Sequence, residues 1–217
     1  MSAAAKIIEP RWERRKDARP GELAAAALEL FVERGFAATR LDDVAKRAGV
    51  SKGTLYLYFD SKEDLFKAVI REGYVAPIAE AEQLLEAWAG TSAELIREIL
   101  LRWWVQVGAT TQAGMTKLII AEAGNFPELA RFYHDEVIQR VHALFERAIH
   151  RGVERGEFRP VNLQYAGRLA CSPMVMLMLW KHSFALCVDR PMDPEDYVRT
   201  YADMLLNGLA DPAAGAT

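Results

Sequence analysis

AGVSKGTLYLYF, Ala48–Phe59, is the stretch whose reading decides the fold. It carries no catalytic pair and no metal-ligand set. Two tyrosines, a lysine, a serine and a glycine are instead gathered around a few aliphatics, directly after Gly49. A glycine reaches left-handed backbone angles without steric cost, so Gly49 marks a tight turn. Ser51 is the residue type that caps a helix start, and the spacing predicts a short helix from Lys52 to about Tyr58. Leu55 and Phe59, four apart, would bury one side of it. Lys52 and Tyr56 share the opposite face, with Gly53 and Leu57 beside them.

Working outward, the sequence predicts helices on both sides. The first runs from about Pro20 to Arg34, with Leu23, Ala27, Leu30 and Phe31 as its apolar stripe and Gly35 as its left-handed end. The second follows Thr39, which with Asp42 resembles a capping box; Leu41, Val44, Ala45 and Ala48 face inward and Gly49 closes it. Ser61 with Asp64 opens a fourth helix carrying Leu65, Phe66, Val69 and Ile70. Two short helices joined by Ala-Gly-Val-Ser, preceded by another helix, make a helix-turn-helix. The outer face of its second helix suits a major groove. A lysine there reads guanine O6/N7 or a phosphate, and an exposed leucine touches a thymine methyl. Gly53 lets the backbone come close, and tyrosine hydroxyls bind phosphate oxygens without carrying charge.

Composition sets the outer limits. The chain has 217 residues, 51% of them hydrophobic, and a net charge of −3. That length buries a substantial core and suits one large domain or a small domain joined to a larger one. Residues 1–70 hold 13 Lys+Arg against 11 Asp+Glu, and the remainder is acidic. A basic front hints at a polyanionic partner, and a solvated surface explains so small a difference as well. The start lacks the apolar segment of a signal peptide, and Leu169–Trp180 is too short to span a membrane, so a cytoplasmic protein without a membrane partner is expected. Cys171 and Cys187 fall on one predicted helix, too far apart to pair. His134, His142 and His150 recur every eight residues, which turns each well out of line with the last. No zinc spacing, cofactor motif or nucleophile-base constellation is present, so neither a metal, a cofactor nor an enzyme is expected.

The rest of the chain reads as helices near 78–89, 92–110, 115–124, 127–155, 162–188 and 194–209, with no two-residue alternation that would mark a sheet. Helix 127–155 carries a stripe of Tyr133, Val137, Val141, Leu144 and Ala148. Helix 162–188 is apolar almost all round at CSPMVMLMLW, so both of its sides should be covered, and Pro173 should kink it. Met174, Met176 and Met178 are either core or an adaptable pocket lining.

The continuous run ARPGELAAAALELFVERGFAATRLDDVAKRAGVSKGTLYLYFDSKEDLF, Ala18–Phe66, resembles the DNA-binding region of the TetR family of bacterial transcriptional regulators. The resemblance implies an all-α protein: a flexible basic arm at 1–17, a three-helix helix-turn-helix domain at 18–72, and a larger helical domain for effector binding and dimerisation at 73–217. By motif position, Thr39, Arg40, Ser51, Lys52, Gly53, Thr54, Tyr56, Leu57, Tyr58 and Lys62 would meet a double-stranded operator, with Tyr58 and Lys62 clamping the phosphate backbone. The family's homodimer would form through helices 162–188 and 194–209, with Tyr201, Leu205 and Leu206 in a four-helix interface. A small hydrophobic effector would release a repressor from a palindromic operator; an activator, or an interaction protein with an unused helix-turn-helix, are the alternatives. Residues 115–134, MTKLIIAEAGNFPELARFYH, resemble the AEA..FPEL stretch of an AcrR/AefR-like subset. The effector candidates are Trp103 or Trp104, Met115, Glu122, Phe126, Phe132, Met174 and Met178. Glu122 is as well read as an ion-pair partner of Arg131.

Overall fold

In the computed structural model, residues 11–189 and 192–211 are described, and within them the regular structure is helical apart from one isolated antiparallel bridge between Phe158 and Ala210. The chain divides into two compact units, residues 1–69 and 70–217.

The first unit holds α1 (Arg11–Arg34), α2 (Leu41–Arg47), α3 (Lys52–Tyr56) and most of α4 (Lys62–Ile70). Residues 1–10 of the expected arm lie outside the described residues. Residues 11–17 are in α1, which begins nine residues before the expected start and contains Pro20. A proline inside a helix removes a single amide bond, and the run RWERRKDAR ahead of it favours helix strongly enough to continue. The stripe Leu23, Ala27, Leu30 and Phe31 is fully buried. Phe31, Phe36 and Phe66 form an aromatic triangle with centroids 5.5–5.8 Å apart. Gly35 and Gly49 take φ of 85° and 69°. At Gly49 the amides of Gly49 and Val50 bond back to the Lys46 and Ala45 carbonyls, a glycine helix end that fixes the turn into α3.

The second unit holds α5 (Ala76–Ala87), α6 (Ser92–Trp103), α7 (Ala113–Glu122), α8 (Pro127–Tyr133), α9 (Gln139–Glu154), α10 (Leu163–Ser183) and α11 (Pro194–Leu209). Single π-helical turns extend α6 over Trp104–Gly108 and join α8 to α9 over His134–Ile138, so the expected helices 92–110 and 127–155 are each continuous in outline. Thr91 and Glu94 make a reciprocal capping box at α6, and Asn162 and Asp193 cap α10 and α11. The stripe of 127–155 is inward: Tyr133, Val137, Leu144 and Ala148 are buried and Val141 is half-buried. Helices α9 and α10 pack closely: a Cβ on Gly167 of α10 would sit 2.8 Å from the His142 carbonyl of α9. Helix α10 runs through Pro173 without a break and ends at Ser183, so Cys187 lies beyond it in a short 3-10 turn. Both cysteines are free.

Candidate nucleic-acid interface and interior cavity

The interface expected on α3 assembles from local capping. Ser51 Oγ accepts from the Thr54 amide at 3.1 Å and lies 2.8 Å from Thr54 Oγ1, which starts the helix. Leu55 is fully buried, and the turn of helix around it projects outward. Leu57 is 80% exposed and Tyr56 44%. Lys52 is exposed, 2.8 Å from Asp42 Oδ1 and 5.9 Å from the Tyr56 ring, with its ammonium pKa raised by the bond to Asp42. A Cβ on Gly53 would meet only Ser51 Oγ, at 3.8 Å, so the backbone there is open to approach. Arg40 is exposed at the head of α2, and Tyr58 is half-buried. Lys52, Gly53, Tyr56 and Leu57 thus form one continuous outer face.

Two expected contacts are placed otherwise. Thr39 is neither the cap of α2 nor a surface group. Arg40 occupies the cap position without a side-chain bond, while Thr39 is 2% exposed. The Thr39 hydroxyl turns back to the end of α1, 2.7 Å from the Gly35 carbonyl and 3.2 Å from that of Leu30. Lys62 is likewise turned inward. Its ammonium donates to the carbonyls of Phe36, Ala37 and Thr39 at 2.7, 3.1 and 3.1 Å, 4.4 Å above the centroid of the Phe36 ring. An ammonium has three donors, and three carbonyls take them. In the protomer Lys62 therefore holds the α1–α2 turn against α4. Nothing in the spacing of SKEDLF distinguishes these two uses.

The second unit holds a partly open cavity of about 320 Å³, within the range of small-molecule sites. Its wall is drawn from α5 to α10 with the turns that extend them. Of the expected residues, Trp103 and Met174 line it. Trp104 is buried in the core against Gly108, where an added Cβ would lie 2.2 Å from the indole. Met115 is buried away from the cavity, and Met178 lies behind Thr116, with Sδ 3.9 Å from its hydroxyl. Glu122 accepts from the Asn125 amide at 2.8 Å in place of the expected arginine. Phe126 and Phe132 do not line the cavity either; Phe132 lies under the Arg71 guanidinium at 5.2 Å. Met176 is exposed. The reason is rotational: on α10, positions 174 and 178 share the inward side and 176 is turned across the helix.

Sequence reasoning missed the polar part of the wall. Thr116 and Tyr133, both buried, line the cavity and continue into a relay. The Tyr74 hydroxyl donates to the Gln112 carbonyl at 2.6 Å and lies 2.9 Å from Thr116 Oγ1, which is 3.5 Å from the Tyr133 hydroxyl. Burial raises both phenol pKa values, that of Tyr133 to about 12. The three hydroxyls come from chain positions 42 and 17 residues apart, so no local pattern signals them.

Among the described residues no three His, Cys, Asp or Glu side chains come together, and no helix is long and apolar enough to cross a membrane.

Comparison with known proteins matches both units. Residues 23–69 fit the bacterial regulatory proteins of the tetR family, and residues 89–205 the tetracyclin repressor-like C-terminal domain. The HTH-type transcriptional regulator YfiR of Bacillus subtilis is 30% identical over 149 residues, 67% of this chain and 71% of YfiR. The transcriptional repressor KstR2 of Rhodococcus jostii is 26% identical over 200 residues, 91% of this chain and 94% of KstR2. The crystal structure of FadR from Bacillus subtilis in complex with stearoyl-CoA superimposes with a TM-score of 0.68 at 19% identity, covering 87% of this chain and 98% of FadR. These relatives do not point specifically to the AcrR/AefR-like subset expected from residues 115–134. With its second unit matched over more than half the chain and its helix-turn-helix matched from Leu23 to Val69, the protein belongs to the TetR family of DNA-binding transcriptional regulators, a family of regulators and not of enzymes.

Proposed function

We propose that the protein is a ligand-responsive repressor that binds a near-palindromic operator as a cytoplasmic homodimer and is released by a small, largely apolar effector. The observation that carries the reading is the outer face of α3, where Lys52, Gly53, Tyr56 and an almost fully exposed Leu57 stand clear of the core. In this reading Lys52 and Leu57 meet base edges, Lys52 by leaving Asp42. Arg40, Ser51, Thr54, Tyr56 and Tyr58 meet the sugar-phosphate backbone. Two such helices would enter successive major grooves about 34–36 Å apart.

The dimer is supported by α10 and α11. Tyr165, Leu169 and Met176 on α10 and Met204 on α11 are large apolar side chains left exposed on the protomer. Of the residues expected at the interface, Tyr201 and Leu205 are half-buried and Leu206 is buried. Tyr201 donates to the Ala170 carbonyl and Leu206 is buried in the protomer's own core. The effector reading is supported by the cavity and its mostly hydrocarbon wall. FadR, a structural neighbour, was crystallised with stearoyl-CoA, a ligand with a long apolar chain. Repression is favoured over activation because the repressor KstR2 is similar over nearly its whole length. Operator and effector would each weaken the other's binding by the same factor.

Fluorescence anisotropy on the DNA upstream of its own coding sequence tests the whole. Salt-sensitive binding of a dimer is expected, lost in Leu57→Glu. A protein that binds no genomic fragment at low ionic strength is an interaction module with an unused helix-turn-helix. Leu169→Glu is expected to yield monomers by analytical ultracentrifugation, and an unchanged dimer would place the interface elsewhere.

A further inference from the structure

The buried hydroxyl relay specifies what kind of polar group the effector carries, given that the cavity is the effector site. A hydroxyl has one proton to give. Tyr74 gives its proton to the Gln112 carbonyl at 2.6 Å. Thr116 is then the donor in the 2.9 Å bond to Tyr74, in preference to its 3.9 Å contact with Met178 Sδ, because the Tyr74 proton is spent. The Tyr133 proton then points to Thr116 Oγ1, at 3.5 Å, the weak limit of such a bond, or to the neighbouring Tyr74 hydroxyl. The longest of these three bonds is that of Tyr133, a side chain on the cavity wall.

Apart from His142, the other polar side chains of the wall are occupied. Cys171 and Ser172 both donate to the Arg168 carbonyl, and Gln106 donates to Glu80. The wall has one guanidinium, Arg102, which is exposed and paired with Glu98 at 2.6 Å. A buried carboxylate on the ligand would find no unpaired cation to meet it, and burying such a charge alone is costly. His142 also lines the cavity, but burial lowers its pKa and so favours the neutral ring.

We propose that Tyr133 is a specificity-determining donor that recognises an uncharged carbonyl oxygen, of a ketone or ester type, on an otherwise apolar effector. Binding replaces a long, poor bond to Thr116 with a short one to the ligand, and the donor is already desolvated and held. Compounds without an acceptor fill the same cavity but forgo that bond, and ionised acids are rejected by the wall.

Isothermal titration calorimetry of the full-length protein with 2-nonanone, 1-nonene and nonanoate tests this. The ketone is expected to bind roughly fivefold or more tightly than the alkene, the worth of one net hydrogen bond, and more tightly than the acid anion. Tyr133→Phe is expected to erase the ketone's advantage while leaving the alkene's affinity unchanged. Thr116→Val, which removes the competing acceptor, is expected to preserve or increase that advantage, and it serves as the test should Tyr133→Phe fail to fold. His142→Leu is expected to leave the preference in place. A ketone that binds no better than the alkene overturns the proposal while keeping the cavity as effector site. So does a preference that survives Tyr133→Phe, or one that is lost in Thr116→Val or His142→Leu. If none of the three compounds binds, the effector-cavity reading fails with it.

Discussion

Tyrosine serves opposite ends in the two units. On α3, Tyr56 is exposed beside Lys52, and Ser51 and Thr54, three residues apart, make the cap behind it. In the second unit Tyr74 and Tyr133 are buried, stacked edge to face at 5.6 Å, and their hydroxyls reach partners up to 42 residues away. The first unit turns its polar chemistry outward on a scaffold set by short-range bonds. The second turns it inward, where low dielectric makes each hydrogen bond count for more and an unmet one cost more. A surface that meets a polyanion needs accessible groups, and a chamber that sorts apolar molecules needs a few fixed ones.

The largest effect expected is in the core beneath the outward face. Phe66→Ala opens the triangle with Phe31 and Phe36 and should cost about 3–5 kcal/mol in chemical denaturation, abolishing operator binding while the second unit keeps its helical circular dichroism. Retained binding would show that the outward face does not depend on that cluster. Next come the two lysines, which sharpen the contrast within the first unit. Lys62→Met should lower stability by about 2 kcal/mol, since it strips three carbonyls of a charged donor, and leave the salt dependence of operator binding unchanged. Lys52→Ala should leave the melting temperature in place and either change sequence preference or lower the salt slope by about one. If the two outcomes are exchanged, the inward and outward assignments are wrong. Thr39→Val should cost about 1 kcal/mol in denaturation through the bond lost at the end of α1; no loss would mean that its hydroxyl is dispensable there. Smallest is a difference in thiol labelling. Burial raises the Cys171 thiol to about 11, whereas Cys187 is exposed. Iodoacetamide at pH 7.5 should therefore modify Cys187 well before Cys171, as read by peptide mass spectrometry. Equal rates would mean that the cavity wall at Cys171 opens to solvent.

How much could be read in advance follows the same division. Helices α2 to α4, the glycine ends of α1 and α2, and the Ser51 and Ser61 caps were legible because each depends on partners a few residues away. The helices of the second unit were placed to within a few residues, since 3.6-residue periodicity, prolines and caps are local signals too. The intramolecular partners of Thr39 and Lys62 were not legible. Their residue types fit a phosphate contact equally well, and only the return of α4 against the α1–α2 turn brings Lys62 to the carbonyls of residues 36, 37 and 39. In the cavity, Trp103 and Met174 were recognised, while Thr116 and Tyr133 were not, because a buried threonine hydroxyl looks in sequence like any helical threonine.

From the amino-acid sequence alone followed the all-helical architecture, the helix-turn-helix and its outward residues, because turns, caps and amphipathic stripes are written in neighbouring letters. Tertiary packing alone decided which polar groups are consumed within the protomer and which remain to meet a ligand. A hydrogen-bond donor is committed by whatever acceptor the folded chain brings to it, and at Tyr74 and Lys62 that acceptor lies 23 to 38 residues away.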